Sequence, residues 1–182
     1  MNLAVVPVLP GPTDAAWTLY RRAFDDLRTR AVQRHVMYRP EFDEVLGDER
    51  VLKYVVTADD GGIAALATMT NDLDAVPLIS PDFFEHRWPV LYAKKRVWYV
   101  PFVAVEPAYQ AGGVMQRIID AMCVEPAGEE GGVICLDVCE YRETAARLPM
   151  AIEGQANRST PGINRVRLDA QVFWGYEFPR PA

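Results

Sequence analysis

The spacing of apolar positions changes along this chain, and each change marks an element. Trp17, Tyr20, Phe24, Leu27 and Ala31 recur at alternating intervals of three and four, which predicts a long amphipathic helix from Thr13-Asp14, able to cap it, to about Arg34. His35 to Pro40 breaks the pattern, Glu41 to Leu46 resumes it as a short second helix, and Gly47 stops it. Val51 to Ala58 and Ile63 to Thr70 read as strands joined through the hairpin turn Asp60-Gly61-Gly62. Val97 to Val105 is β-branched, aromatic and of strand length, and Glu106-Pro107 ends it because proline cannot donate to a ladder. Val114, Met115, Ile118, Ile119 and Met122 then form one helical stripe over about 112–125, with Gln116, Arg117 and Asp120 turned away from it. Gly128 to Gly132 is a loop and Val133 to Val138 an apolar strand of the kind that follows a crossover helix. Tyr141 to Gln155 is helical in composition with an interruption at Pro149, and Val166 to Phe178 reads as a closing strand or hairpin arm after the Ser159–Gly162 loop.

Between the strand at 97–105 and the helix after it lies Gln110-Ala111-Gly112-Gly113, so the first helical amides face the loop without bulky side chains in front of them. A helix N-terminus carries unpaired N–H groups and partial positive charge, which together favour an anion. The loop lacks Gly-x-Gly-x-x-Gly and no Gly-Lys-Ser/Thr follows, so nicotinamide and P-loop readings fail on residues and a pyrophosphate cradle of another kind remains. A structural turn is the plain alternative.

That segment resembles the central motif of the GCN5-related N-acetyltransferase superfamily, a strand ending in Val-x-Pro followed by Gln/Arg-x-x-Gly-x-Gly/Ala opening a helix. The chain supplies Val105-Glu106-Pro107, then Tyr109-Gln110, then Gly113, with Met115 where the family prefers Gly or Ala. Met115 points either into the helix–sheet core or toward the approaching phosphates. The resemblance implies an α/β (α+β) fold over 1–182, a mixed, mostly antiparallel sheet with a splayed central strand pair flanked by helices. It also implies acetyl-CoA or another acyl-CoA as cofactor. By the same likeness Phe102, Val103 and Val105 act through their backbone on the pantetheine and acyl oxygen, and Gln110, Ala111, Gly112, Gly113, Val114 and Met115 surround the pyrophosphate.

Roughly 25 residues, Asp72 to Arg96, separate two strands that most members join by a short turn. The insertion holds Phe83, Phe84, His86, Trp88, Leu91 and Tyr92, too apolar for disorder. It either folds back as a short helix patching the core or walls an acyl or acceptor pocket with Phe84 and Trp88, as in long-chain acyl-homoserine-lactone and N-acyl-amino-acid synthases.

Amide formation on a thioester needs a proton acceptor for the amine, a donor for the carbonyl oxygen and alignment of the reactants. Glu106, at the strand end, is either that base or a solvated terminal charge. Family members often carry a tyrosine acid in Asn-x-x-Ala-x-x-Leu-Tyr; the matching region here, Tyr141 to Met150, has Leu148 followed by Pro149, leaving Tyr141 and Tyr176 as substitutes by type. His35, Tyr38 and Arg39 follow the first helix, where the resembling fold lines its acceptor site, and Arg39 is either a carboxylate clamp or a surface cap.

Half the residues are hydrophobic and 24% charged, ordinary for a globular protein, and no apolar run approaches the ~18 residues of a membrane span. A net charge of −6 disfavours a nucleic-acid partner and suits a small cationic amine acceptor. Three cysteines without Cys-x-x-Cys give no disulfide framework, so a reducing cytoplasm is expected; His35 and His86 have no metal-ligand spacing, so no metal is expected. The aromatic closing segment with Phe173, Trp174 and Tyr176 either completes the core or pairs across a homodimer. Besides acetyl transfer, long-chain acyl transfer and non-catalytic binding of a thioester or small ligand stay open.

Overall fold

A computed structural model of the chain describes residues 1–77, 79–110 and 112–178. They form a five-stranded sheet in the order β1-β2-β3-β4-β5, built from β1 (Asn2–Val6), β2 (Leu52–Thr57), β3 (Ile63–Thr70), β4 (Val97–Val105) and β5 (Val133–Cys135). The first four strands are antiparallel neighbours and β5 lies parallel to β4. The hairpin turn between β2 and β3 has Gly61 at φ +85°, a conformation that glycine adopts without steric cost. Strand β1 is absent from the sequence reading: five residues ending at Pro7, half-exposed to exposed on an edge, carry no clear alternation.

Two helical layers cover the sheet. On one face α1 (Asp14–Phe24) and α2 (Arg39–Gly47) bring Leu19, Tyr20, Phe42 and Leu46 against Val55, Leu66, Phe102 and Ala104. On the other, α5 (Val114–Cys123) sets Val114, Ile118 and Met122 on Tyr54, Val56, Ala67, Met69, Trp98 and Val100. The buried Lys53 ties an edge of the sheet, its ammonium donating to the carbonyls of Pro7 at 2.7 Å and Asp48 at 2.6 Å. Burial lowers its pKa to about 8.

The first helix is shorter than its apolar spacing predicts. It ends at Phe24, and Asp25–Thr29 continues as a 3-10 turn. Asp25 and Asp26 stand at the negative end of the helix dipole, and Asp25 accepts from both Arg21 and Arg28, which holds the tighter turn. Leu27 is still buried, because i+3 spacing from Phe24 serves a 3-10 turn as well as an α-helix. Helix α2 begins before Glu41, with Pro40 in its first turn and Glu41 accepting from the Tyr38 amide. The insertion forms α3 (Pro81–Arg87) and α4 (Pro89–Ala93), and its Phe84 is buried with Leu73, Val76, Val97, Tyr99 and Cys135.

The helical region after β5 is divided at its proline: α6 (Glu140–Thr144) stops, Arg147 turns left-handed at φ 49°, and α7 (Leu148–Ser159) starts with Pro149 in its first turn. The closing strand expected over 166–178 is not formed. Leu168 packs against the cluster of Val97, Tyr99 and Cys135, and Arg167 reaches Glu143, but Val172, Trp174, Tyr176 and Phe178 stay exposed. The arm makes no ladder with the edge strand β5 among the described residues, and strand propensity alone does not make a strand. No described helix is long and apolar enough to cross a membrane.

Candidate active site

Two features of β4 open the sheet. Thr68 pairs with Phe102 and Thr70 with Tyr99, so β4 carries one extra residue beside Pro101, a bulge where a missing N–H is tolerated. The bulge reverses the faces: Trp98 and Val100 point toward α5, Phe102 and Ala104 toward α1. Beyond it β4 has no strand on its outer side among the described residues. Strand β5 pairs with β4 only through Val97–Val133, Trp98–Ile134 and Tyr99–Cys135 and is shorter than the expected 133–138. The two strands fork at Tyr99 and Cys135.

Ladder parity fixes which amides face the gap. The Glu106 amide donates to Ala64 O at 2.9 Å, which makes 64–106, 66–104 and 68–102 the hydrogen-bonded pairs with β3. Phe102 therefore spends its backbone on β3, and its ring is buried among Tyr20, Phe24 and Phe42. Val103 and Val105 direct their backbone groups to the open side.

At the far end of the gap, Gly113 precedes α5 in the left-handed region at φ +73° with no atom within 4 Å of where a Cβ would stand. The first helical hydrogen bond is Arg117 N to Gly113 O, so the amides of Val114, Met115 and Gln116 have no acceptor within the helix. Gln110 and Gly112 belong to the turn that delivers the chain there; Ala111 lies outside the described residues. Met115 is half-buried against Ile119, Cys123 and Ala156, in the seam between α5 and α7, and does not fill the gap. In the same seam Gln116 donates to Asp120 and to Gln155 O, while the side-chain oxygens of Gln116 and Gln155 are buried with no donor among the described residues. The amides at the start of α5 suit an anionic group such as a phosphate.

The fork holds a cluster that sequence reasoning missed. Tyr99 Oη donates to Asp137 Oδ1 at 2.6 Å, and His35 Nδ1 lies 3.4 Å from Asp137 Oδ2. His35 and Tyr99, with Asp137, hold that carboxyl below its usual range, and burial pushes the Tyr99 phenol up. Phe84 meets Tyr99 edge-on at 6.4 Å and stacks on Trp88, so two of the predicted pocket residues converge beside the cluster and His35 belongs to it.

Other predicted residues are engaged elsewhere. Glu106 accepts from Arg22 at 3.0 Å and is tied in an ion pair. Tyr141 packs on the α1 face with the Arg30 guanidinium 4.4 Å from its ring. Arg39 donates to Asp43, Asp14 and Thr13, a tie between α1 and α2. Tyr38 is exposed, with Arg34 over its ring. Tyr176 is exposed on the C-terminal arm.

No protein-family model matches the sequence, and no curated protein matches it significantly. Solved structures do match. The aminoglycoside 6'-N-acetyltransferase AAC(6')-Ih from Acinetobacter baumannii superposes with a TM-score of 0.56 at 9% identity, over 97% of this chain and 100% of that one. AAC(6')-Iy in complex with the bisubstrate analog CoA-S-monomethyl-acetylneamine gives 0.54 at 12%, over 97% and 99%. The ribosomal-protein-alanine N-acetyltransferase from Brucella melitensis biovar Abortus 2308 gives 0.51 at 12%, over 96% and 99%. The chain has the GCN5-related N-acetyltransferase fold. In this GCN5-related fold the bulged, one-sided β4 and the glycine-led α5 are the two walls of the gap described above.

Proposed function

We propose that this protein is an N-acyltransferase that moves an acetyl group from acetyl-CoA to a primary amine by direct attack within a ternary complex. One observation carries the reading: the outward amides of Val103 and Val105 and the first amides of α5, Val114 to Gln116, which have no acceptor among the described residues, border the same gap. Acetyl-CoA, when bound, supplies an acyl carbon activated by a thioester. Val114, Met115 and Gln116 would hold the pyrophosphate through backbone N–H groups. The β4 amides would steady the carbonyl oxygen as charge gathers on it, and the walls of the gap would align the two reactants.

Phe84 and Trp88 stack and fill the space beside Tyr99, which favours a short acyl group over a long chain. The acceptor class stays broad, because proteins of this fold named for aminoglycosides and for a ribosomal-protein alanine are equally alike to the chain. Soluble primary amines such as neamine, spermidine and an alanine-terminated peptide are the first acceptors to try. Calorimetry with coenzyme A, followed by thiol release from acetyl-CoA in the presence of each amine, tests the reading. Micromolar binding and amine-dependent release are expected, and no heat at millimolar coenzyme A overturns it.

A further inference from the structure

We propose that His35 is the general base of this transfer, held in place by Asp137 and Tyr99 at the fork of β4 and β5. The assignment rests on the acyltransferase reading and adds to it a residue and a tautomer. Tyr99 is the last β4 residue in register with β5, and its partner is Cys135. Asp137 follows two residues on, on the same face of the strand path, just where the chain leaves β4. Three residues remote in sequence thus meet at the mouth of the gap: the phenol on one carboxylate oxygen at 2.6 Å and the imidazole on the other at 3.4 Å.

The chemistry follows from that order. At 3.4 Å the imidazole faces the carboxylate as a charge partner, and a small rotation of the ring lets Nδ1–H donate to it; in that tautomer the lone pair stays on Nε2, the form that accepts a proton. Tyr99 stays a donor because burial disfavours its phenolate, and Asp137 stays a carboxylate. The His35 side chain is 16% exposed, reachable yet largely withdrawn from water. Its backbone is pinned too: Tyr20 Oη donates to His35 O at 3.4 Å and accepts from the Met37 amide at 3.0 Å. The remaining charges on the surrounding elements are matched, Arg34 by Glu41 of α2 and Arg28 by Asp25 of the 3-10 turn. Asp137 is left as the anion that faces His35. Glu106, the other candidate, shares its charge with Arg22.

In the step itself the acceptor nitrogen forms a C–N bond to the thioester carbon and gives one proton to His35 Nε2. The C–S bond breaks with its electron pair on sulfur. The imidazolium then returns the proton to the thiolate, leaving amide, thiol and neutral histidine. Asp137 and Tyr99 touch no reacting atom and are positioning residues.

The chain has two histidines, and His86 is exposed on α3, so the His86→Gln protein reports His35 alone in a ring-nitrogen NMR titration. The expected result is a neutral form protonated on Nδ1. A proton on Nε2 overturns the proposal whatever the acceptor. In turnover with acetyl-CoA and spermidine, His35→Gln should lose about 100-fold or more in kcat. Coenzyme A affinity by calorimetry should stay within about twofold of the parent, since the cradle is remote from the fork. Asp137→Asn should lower kcat while the KM for acetyl-CoA holds. A His35→Gln protein with parental kcat sinks the assignment and leaves the acyltransferase reading standing; a parent that binds no coenzyme A sinks that reading by itself.

Discussion

The two ends of the gap between β4 and β5 are made of different material. At the α5 end the contacts on offer are backbone amides from a contiguous stretch, Gly113 to Gln116, and side-chain identity matters mainly by staying out of the way. At the fork they are side chains from positions 35, 99 and 137, each meaningless without the other two. A backbone site survives wide sequence change so long as its glycine and its helix start persist, whereas a side-chain cluster answers to single-atom substitutions. The contrast accounts for a chain that keeps a fold at 9–12% identity to proteins named for different acceptors.

The sharpest way to break this contrast is at the cradle. Gly113→Val places a β-branched residue at φ +73° and a side chain before the free amides. Coenzyme A affinity measured by calorimetry should drop about 100-fold, roughly 2.7 kcal/mol. Gln110→Ala, which leaves the backbone path alone, should stay within about threefold. The reverse ranking would mean that side chains hold the phosphates.

Next in size is the glycine that lets β5 approach β4. A Cβ on Gly132 would lie 2.6 Å from the Trp98 ring and 3.1 Å from both Arg96 O and Pro126 Cα, two of them backbone atoms that cannot step aside. Gly132→Ala should cost about 1–3 kcal/mol in urea unfolding, the range for overpacking a filled site. It should also loosen the short β4–β5 pairing that sets the fork. Full stability in that variant would show the fork to be less fixed than its register implies.

How much of this was legible beforehand divides along the same line. The strand, glycine pair and helix of the cradle are contiguous, so local propensity and period expose them, and Met115 needed only the seam with α7 to explain it. The fork depends on the parallel register of β4 on β5, which no local pattern encodes: Tyr99 reads as strand core, Asp137 as the end of an apolar run, His35 as loop. A charged residue inside the apolar run Val133 to Val138 was the one available signal. Elsewhere, Asp25 and Asp26 outvoted a helical spacing that continued past them, and the aromatic arm beyond Leu168 had strand composition but forms no ladder with the edge strand β5 among the described residues.

At the fork, Tyr99→Phe separates packing from proton chemistry. The ring keeps its place against Phe84 and the only loss is the hydroxyl on Asp137. Stability should change by no more than about 1–2 kcal/mol, the value of a hydrogen bond to a charged group lost while its partner can still reach water. The kcat should fall while the KM for acetyl-CoA holds. A change in KM alone would make Tyr99 part of the binding wall instead.

The smallest expected effect is a stability slope in acid. His35 first, and Tyr99 next among the lowering contacts, depress the pKa of Asp137 below its unfolded value of about 3.9. Between the folded and unfolded values the unfolded chain binds more protons, so stability rises with pH across that window. The contribution is present in full above the unfolded value and is lost as pH falls through the folded one. Asp25, Glu41, Asp43 and Asp48 are depressed by their arginine and threonine partners and add slopes of the same sign, so the parent alone cannot isolate the fork. The difference between the parent and Asp137→Asn can, because the variant keeps every other depressed carboxylate. Its unfolding free energy should decline less between about pH 5 and pH 2 than that of the parent. Parallel curves would mean that Asp137 titrates as a free carboxylate and that its contacts to Tyr99 and His35 do not persist in solution.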